Sequence, residues 1–115
     1  MYKLTNKEEF IVVTGNDIIN ETESKAICRK IKELLEFKTG ANKLLLDVRG
    51  VNLDASQFDI FIQYLSKVKV TRISIVLPEL INKFKFKLWR RKYKNYAEIE
   101  QFMTLEEAQN WLKKG

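Results

Sequence analysis

The spacing of apolar residues changes period several times along this chain, and each change marks an element. Tyr2 to Leu4 and Glu9 to Thr14 are short strand-like runs, the second rich in β-branched residues, with the polar Thr5-Asn6-Lys7 between them. This predicts an antiparallel hairpin whose second arm stops at Gly15-Asn16-Asp17. Asn20 and Glu23 have the spacing of a capping box, and Ile27, Ile31, Leu34 and Leu35 recur at helical intervals until Gly40. A first helix is expected there. Lys43 to Val51 (KLLLDVRGV) is a nearly unbroken apolar run, as expected of a central strand covered on both faces.

Asp54 and Gln57 repeat the capping box, with Leu53 and Phe58 at the positions of a hydrophobic staple. Phe58, Phe61, Ile62 and Leu65 then share the apolar face of a second helix ending near Val68. Arg72 to Leu77 reads as a strand closed by Pro78, and Glu79 to Tyr96 as a third, basic helix. Glu98 to Met103 is a weaker strand, and Thr104 with Glu107 caps a last helix whose Leu105, Ala108, Trp111 and Leu112 lie on one side. The order ββαβαβαβα predicts an α/β domain with an initial antiparallel hairpin, parallel later strands and right-handed crossovers, the helices packed on a mixed sheet. With 115 residues, 45% hydrophobic, four Gly and one Pro, one ordered domain spanning 1–115 is expected.

Charge alters this picture at one place. The stretch ELINKFKFKLWRRKYKNY, from Glu79 to Tyr96, carries a net +6, equal to the formal charge of the whole chain. At about 100° per residue, Leu80, Ile81, Phe84 and Leu88 form a core stripe. Lys83, Lys87, Arg90 and Lys94 line one flank, and Phe86, Trp89, Tyr93 and Tyr96 the other. This apolar arc is wider than the roughly 100° that seats one helix face on a sheet. Either the preceding loops, the last helix or the start of the next strand cover the surplus aromatics, or they form a contact edge for a partner with the basic flank beside it. A protein partner or a second copy of the chain is the leading expectation, with the loop Asp54-Ala55-Ser56 as an adjoining contact. An anionic membrane surface or a small amphiphile is the alternative. Nucleic acid ranks below both, since no nucleic-acid-binding motif accompanies the helix.

Catalytic chemistry has little to work with. The chain has no histidine, which removes the usual acid–base group at neutral pH and the commonest metal ligand. No enzyme activity, cofactor or metal is expected. Asp47 and Asp54 lie where open α/β sheets place ligands, but Asp54 suits an N-cap and Asp47 a pair with Arg49. Cys28 falls on the edge of an apolar helix face and is expected to be a buried, inert thiol. Trp111 is expected in the core, and Trp89 is the preferred contact residue. A lone cysteine and an N-terminus (MYKLTNKEEF) without an apolar run point to a cytoplasmic protein.

Three motifs, in this order of elements, carry a resemblance. They are Leu45-Leu46-Asp47-Val48-Arg49-Gly50-Val51, Asp54-Ala55-Ser56, and Phe102-Met103-Thr104-Leu105-Glu106-Glu107-Ala108 with Trp111-Leu112. Across nearly its whole length the chain resembles the STAS superfamily, the domain of anti-sigma-factor antagonists and sulfate transporters, and especially its SpoIIAA-like branch. The resemblance implies a small non-enzymatic module and, by analogy with Sec14-type folds, a lipid-like ligand as a second option. In the antagonists, a serine or threonine after the aspartate that opens the second helix is phosphorylated to switch partner binding. Here that position is Ala55, which has no oxygen to accept a phosphoryl group. Ser56 is one residue on, turned about 100° around the helix, and reads as a first-turn helix residue.

Overall fold

Lys43–Val51 forms the middle strand of a five-stranded sheet, as its continuous apolar run requires. A computed structural model describes residues 2–7, 9–17, 20–36, 42–77 except 52–54, and 90–114; at 16–17, 50–51 and 55–58 it describes the backbone. The strands are β1 (Tyr2–Asn6), β2 (Ile11–Asp17), β3 (Lys43–Val51), β4 (Arg72–Val76) and β5 (Glu98–Phe102), side by side in chain order. β1 and β2 pair as the antiparallel hairpin, closed by a 2.9 Å bond from Lys7 N–H to the Phe10 carbonyl. The pairs β2–β3, β3–β4 and β4–β5 are parallel.

β2 does not stop at Thr14, as the Gly-Asn-Asp sequence suggested, but continues to Asp17. The neighbouring strand accounts for this. Asn16 and Asp17 pair with Gly50 and Val51, so β3 offers backbone groups further than the apolar pattern of β2 runs. Thr14 faces Asp47 while Asn16 faces Gly50. Three steps on β3 thus match two on β2, and β3 carries the extra residue of a bulge.

Side chains alternate between two cores. Leu44, Leu46 and Val48 join Ile11, Val13, Ile73, Ile75 and Ile99 in the larger one, under α1 (Glu21–Glu36) and α2 (Ala55–Leu65). Leu45 and Val76 face the opposite way and meet Ala108 and Leu112 of α3 (Leu105–Lys114), which packs on β3, β4 and β5. Truncating a fully buried residue such as Ile31 would cost about 2–5 kcal/mol.

The expected caps are present where the structure describes them. Asn20 accepts a 2.8 Å bond from Glu23 N–H at the start of α1. Thr104 Oγ1 accepts one of 3.2 Å from Glu107 N–H at the start of α3 and lies 3.1 Å from the Glu107 carboxylate. The capping box and staple proposed for α2, with Leu53 and Asp54, lie outside the described residues. So does most of the basic segment, of which residues 90–93 are helical. Trp111 is only partly buried, not enclosed as its helical face suggested. Its ring packs 5.8 Å from that of Phe102 and stacks under the Arg72 guanidinium at 3.9 Å. At the edge of the sheet, the face of the indole that the core leaves open is covered by a cation.

Candidate functional site

The end of the basic segment is bolted to α2 through its tyrosines. Tyr93 donates a short hydrogen bond to the Asp59 carboxylate, and Lys92 Nζ lies 3.1 and 3.2 Å from the two oxygens of the same group. Tyr96 donates a 2.7 Å bond to the Leu65 carbonyl. The Tyr93 hydrogen bond, helped by Lys92, holds Asp59 below the usual carboxylate range. Burial, reinforced by Asp59, pushes the Tyr93 phenol up, and burial raises Tyr96 with the Cys28 thiol adding to it.

This geometry divides the candidate contact residues. Tyr93 is 8% exposed and belongs to the larger core, and Tyr96 packs against it. Neither stands on an outward aromatic edge, because each hydroxyl has an acceptor on α2 that rewards turning inward. These two aromatics are covered, but by α2 and not by the loops, last helix or next strand that the sequence suggested. Arg90 and Lys94 are exposed, and Arg90 Nη1 lies 3.4 Å from Glu100 of β5. Lys83, Phe86, Lys87, Trp89 and Asp54 lie outside the described residues, and Ala55 and Ser56 are described only as the backbone that opens α2.

Beside this anchored turn runs an open groove of about 660 Å³, between the loop that leaves α2 and residues 92–96. Lys67, Lys69 and Lys92 line it, and Asn42 braces its floor. Asn42 Nδ2 donates to the Lys69 carbonyl at 2.8 Å, and the Asn42 carbonyl accepts from Thr71 N–H at 2.8 Å. Lys67 and Lys69 were not among the residues expected at a contact surface. Their signal was the alternation Lys67-Val68-Lys69-Val70, in which both valines are buried and both lysines exposed.

At the other end of the sheet, Asp47 is 6% exposed and both its oxygens are engaged by Arg49, at 2.9 and 2.8 Å. The Arg49 N–H also points to Asp47, at 3.3 Å, within the bulge of β3. The side-chain hydrogen bonds from Arg49 draw the Asp47 carboxyl below its ordinary value. A carboxylate held this way is a poor proton acceptor and serves to satisfy the bulged backbone. Among the described residues no cluster of three metal-ligating side chains occurs, and no helix is long and apolar enough to cross a membrane.

No family model matches the chain, and no curated protein does. Solved structures do match in fold. The anti-sigma factor antagonist SpoIIAA in its unphosphorylated form is 15% identical, with 98% of each chain covered and a TM-score of 0.59. A DUF3478-family protein with a SpoIIAA-like fold from Shewanella loihica PV-4 is 13% identical, covering 97% of this chain and 92% of its own, with a TM-score of 0.67. The phosphorylated form of the Bacillus cell fate determinant SpoIIAA is 13% identical, covering 97% and 99%, with a TM-score of 0.55. The antiparallel hairpin, the parallel strands that follow and the helices on both faces are thus those of the SpoIIAA-like fold.

Proposed function

We propose that this chain is a non-enzymatic interaction module that binds a protein partner, or a second copy of itself, through the exposed cations of the basic segment. We assign to this surface Arg90 and Lys94, with Lys83, Phe86, Lys87 and Trp89 of the same segment, and Asp54 with Ala55 and Ser56, which open α2. The observation that carries the reading is the double anchorage of residues 92–96 to α2 through Asp59 and the Leu65 carbonyl. It fixes the backbone beneath Arg90 and Lys94, so these cations are presented at little further entropic cost. The shared fold with an anti-sigma factor antagonist supports a binding role. With Ala55 at the usual phosphoacceptor position, binding is not switched by phosphorylation there.

The test compares the wild-type domain with Arg90→Glu/Lys94→Glu. A partner recovered by cross-linking in the producing cells should be lost from the variant, or a sedimentation shift showing self-association should disappear. Recovery that is equal with both proteins, without self-association, would overturn the reading. Flotation with phosphatidylserine vesicles in place of a protein partner would assign the surface to anionic lipid.

A further inference from the structure

We infer that the groove between α2 and residues 92–96 is a second docking site, which receives an acidic segment of the protein partner. Among the described residues its lining carries three lysines, Lys67, Lys69 and Lys92, and no carboxylate. Lys92 shares its charge with Asp59. Lys67 lies 5.5 Å above the Tyr64 ring, a contact that leaves its charge uncompensated. Among the described residues no carboxylate pairs with Lys67 or Lys69.

The groove lies at the C-terminal end of α2, where free carbonyls and the helix dipole would normally repel an anion. Here the last four carbonyls of the helix are occupied. Ser66 N–H donates to Ile62 at 2.8 Å, Ser66 Oγ to Gln63 at 2.7 Å and Lys67 N–H to Tyr64 at 3.2 Å. Leu65 accepts from both Val68 N–H, at 2.9 Å, and the Tyr96 hydroxyl, at 2.7 Å. A cation entering the groove would find these acceptors taken and three ammonium groups around it. An anion meets Lys67 and Lys69 with no competing carboxylate among the described residues, and shares Lys92 with Asp59.

The opening also selects the form of the anion. The groove is broad and open to solvent, so a single small ion would be held weakly through screened contacts. A peptide bearing several carboxylates engages the lysines together, and the loop 66–71, already braced by Asn42, need not be ordered on binding. The inference rests on the interaction reading above and names the chemistry of that partner.

The probe is a fluorescently labelled hexaglutamate peptide, titrated with the intact chain by anisotropy at low salt. Lys67→Glu/Lys69→Glu should weaken binding at least tenfold. Arg29→Glu/Lys32→Glu, which makes the same charge change on the exposed face of α1, should weaken it less than threefold. Equal losses in the two variants, which would reduce the effect to net charge, or no binding by the wild type at all, would overturn the inference. All four substituted residues are exposed, and circular dichroism of each variant checks that it folds. Partner capture by the wild type alongside equal losses would sink the groove and leave the interaction reading standing. A selective groove without any partner or self-association would do the reverse.

Discussion

The Lys43 ammonium, rooted in the central strand and 8% exposed, donates a 2.6 Å hydrogen bond to the Leu112 carbonyl at the end of the last helix. Arg72 of the next strand donates at 2.8 Å to the adjoining Trp111 carbonyl. The terminal carbonyls of a helix have no intrahelical donors and form its negative pole, so two cations from the sheet satisfy both needs at once. Lys43→Met keeps the aliphatic stem but orphans the Leu112 carbonyl. It should lower stability by about 1–3 kcal/mol in urea unfolding. A Trp89→Phe background isolates Trp111, whose fluorescence should change when Arg72→Met removes the stacked guanidinium.

Tyr93 and Asp59 should behave as a coupled pair. Tyr93→Phe and Asp59→Asn are each expected to cost about 1–2 kcal/mol. The double variant should cost less than their sum, by roughly 1 kcal/mol, because either change alone already breaks the shared bond. Strict additivity in urea denaturation would show that the hydrogen bond contributes nothing beyond its separate parts.

Acid sensitivity follows from the same carboxylates. Asp47 and Asp59 both have folded-state values below the ordinary 3.8. Their contribution is therefore complete above the unfolded value and disappears as pH falls through the folded ones. Between about pH 5 and 8 stability should be nearly flat, since the chain has no histidine to titrate there. From about pH 4 downward it should decline, and Asp59→Asn should make that decline shallower in denaturation midpoints measured against pH.

Cys28 is enclosed between α1 and α2, with its Sγ 3.9 Å from the Phe61 carbonyl, and burial pushes its thiol up to about 12. Thiolate is scarce at neutral pH and access is closed. Ellman's reagent should modify the native protein at least about a hundredfold more slowly than the urea-unfolded chain, in which the thiol returns to roughly 8.5. Rapid labelling of the native state would show that the two helices part readily.

Local pattern carried much of the fold. The Asn20 and Thr104 caps, the apolar face of α1 and the unbroken run in β3 each depend on residues within a few positions of one another, and each is realised. The length of β2 was not legible, because Gly15-Asn16-Asp17 reads as a stop until β3 supplies partners for it. Tyr93 and Tyr96 were misplaced for a related reason. Helical spacing puts them together on one flank, but only an acceptor more than thirty residues away tells whether that flank turns in or out. Lys67 and Lys69 drew no notice because a lysine in isolation reads as solvated surface.

By itself the sequence determined the order of the described elements, the capped starts of the first and last helices and the apolar faces these bury, since periodicity and capping act over a turn of helix or a few residues of strand. The tertiary structure alone decided which cations close the last helix, that Asp59 is an anchor of the basic segment, and that three lysines from two separate stretches line one groove. These are meetings between residues far apart in the chain. A periodic pattern specifies that a face must be covered, whereas the chain's packing specifies what covers it.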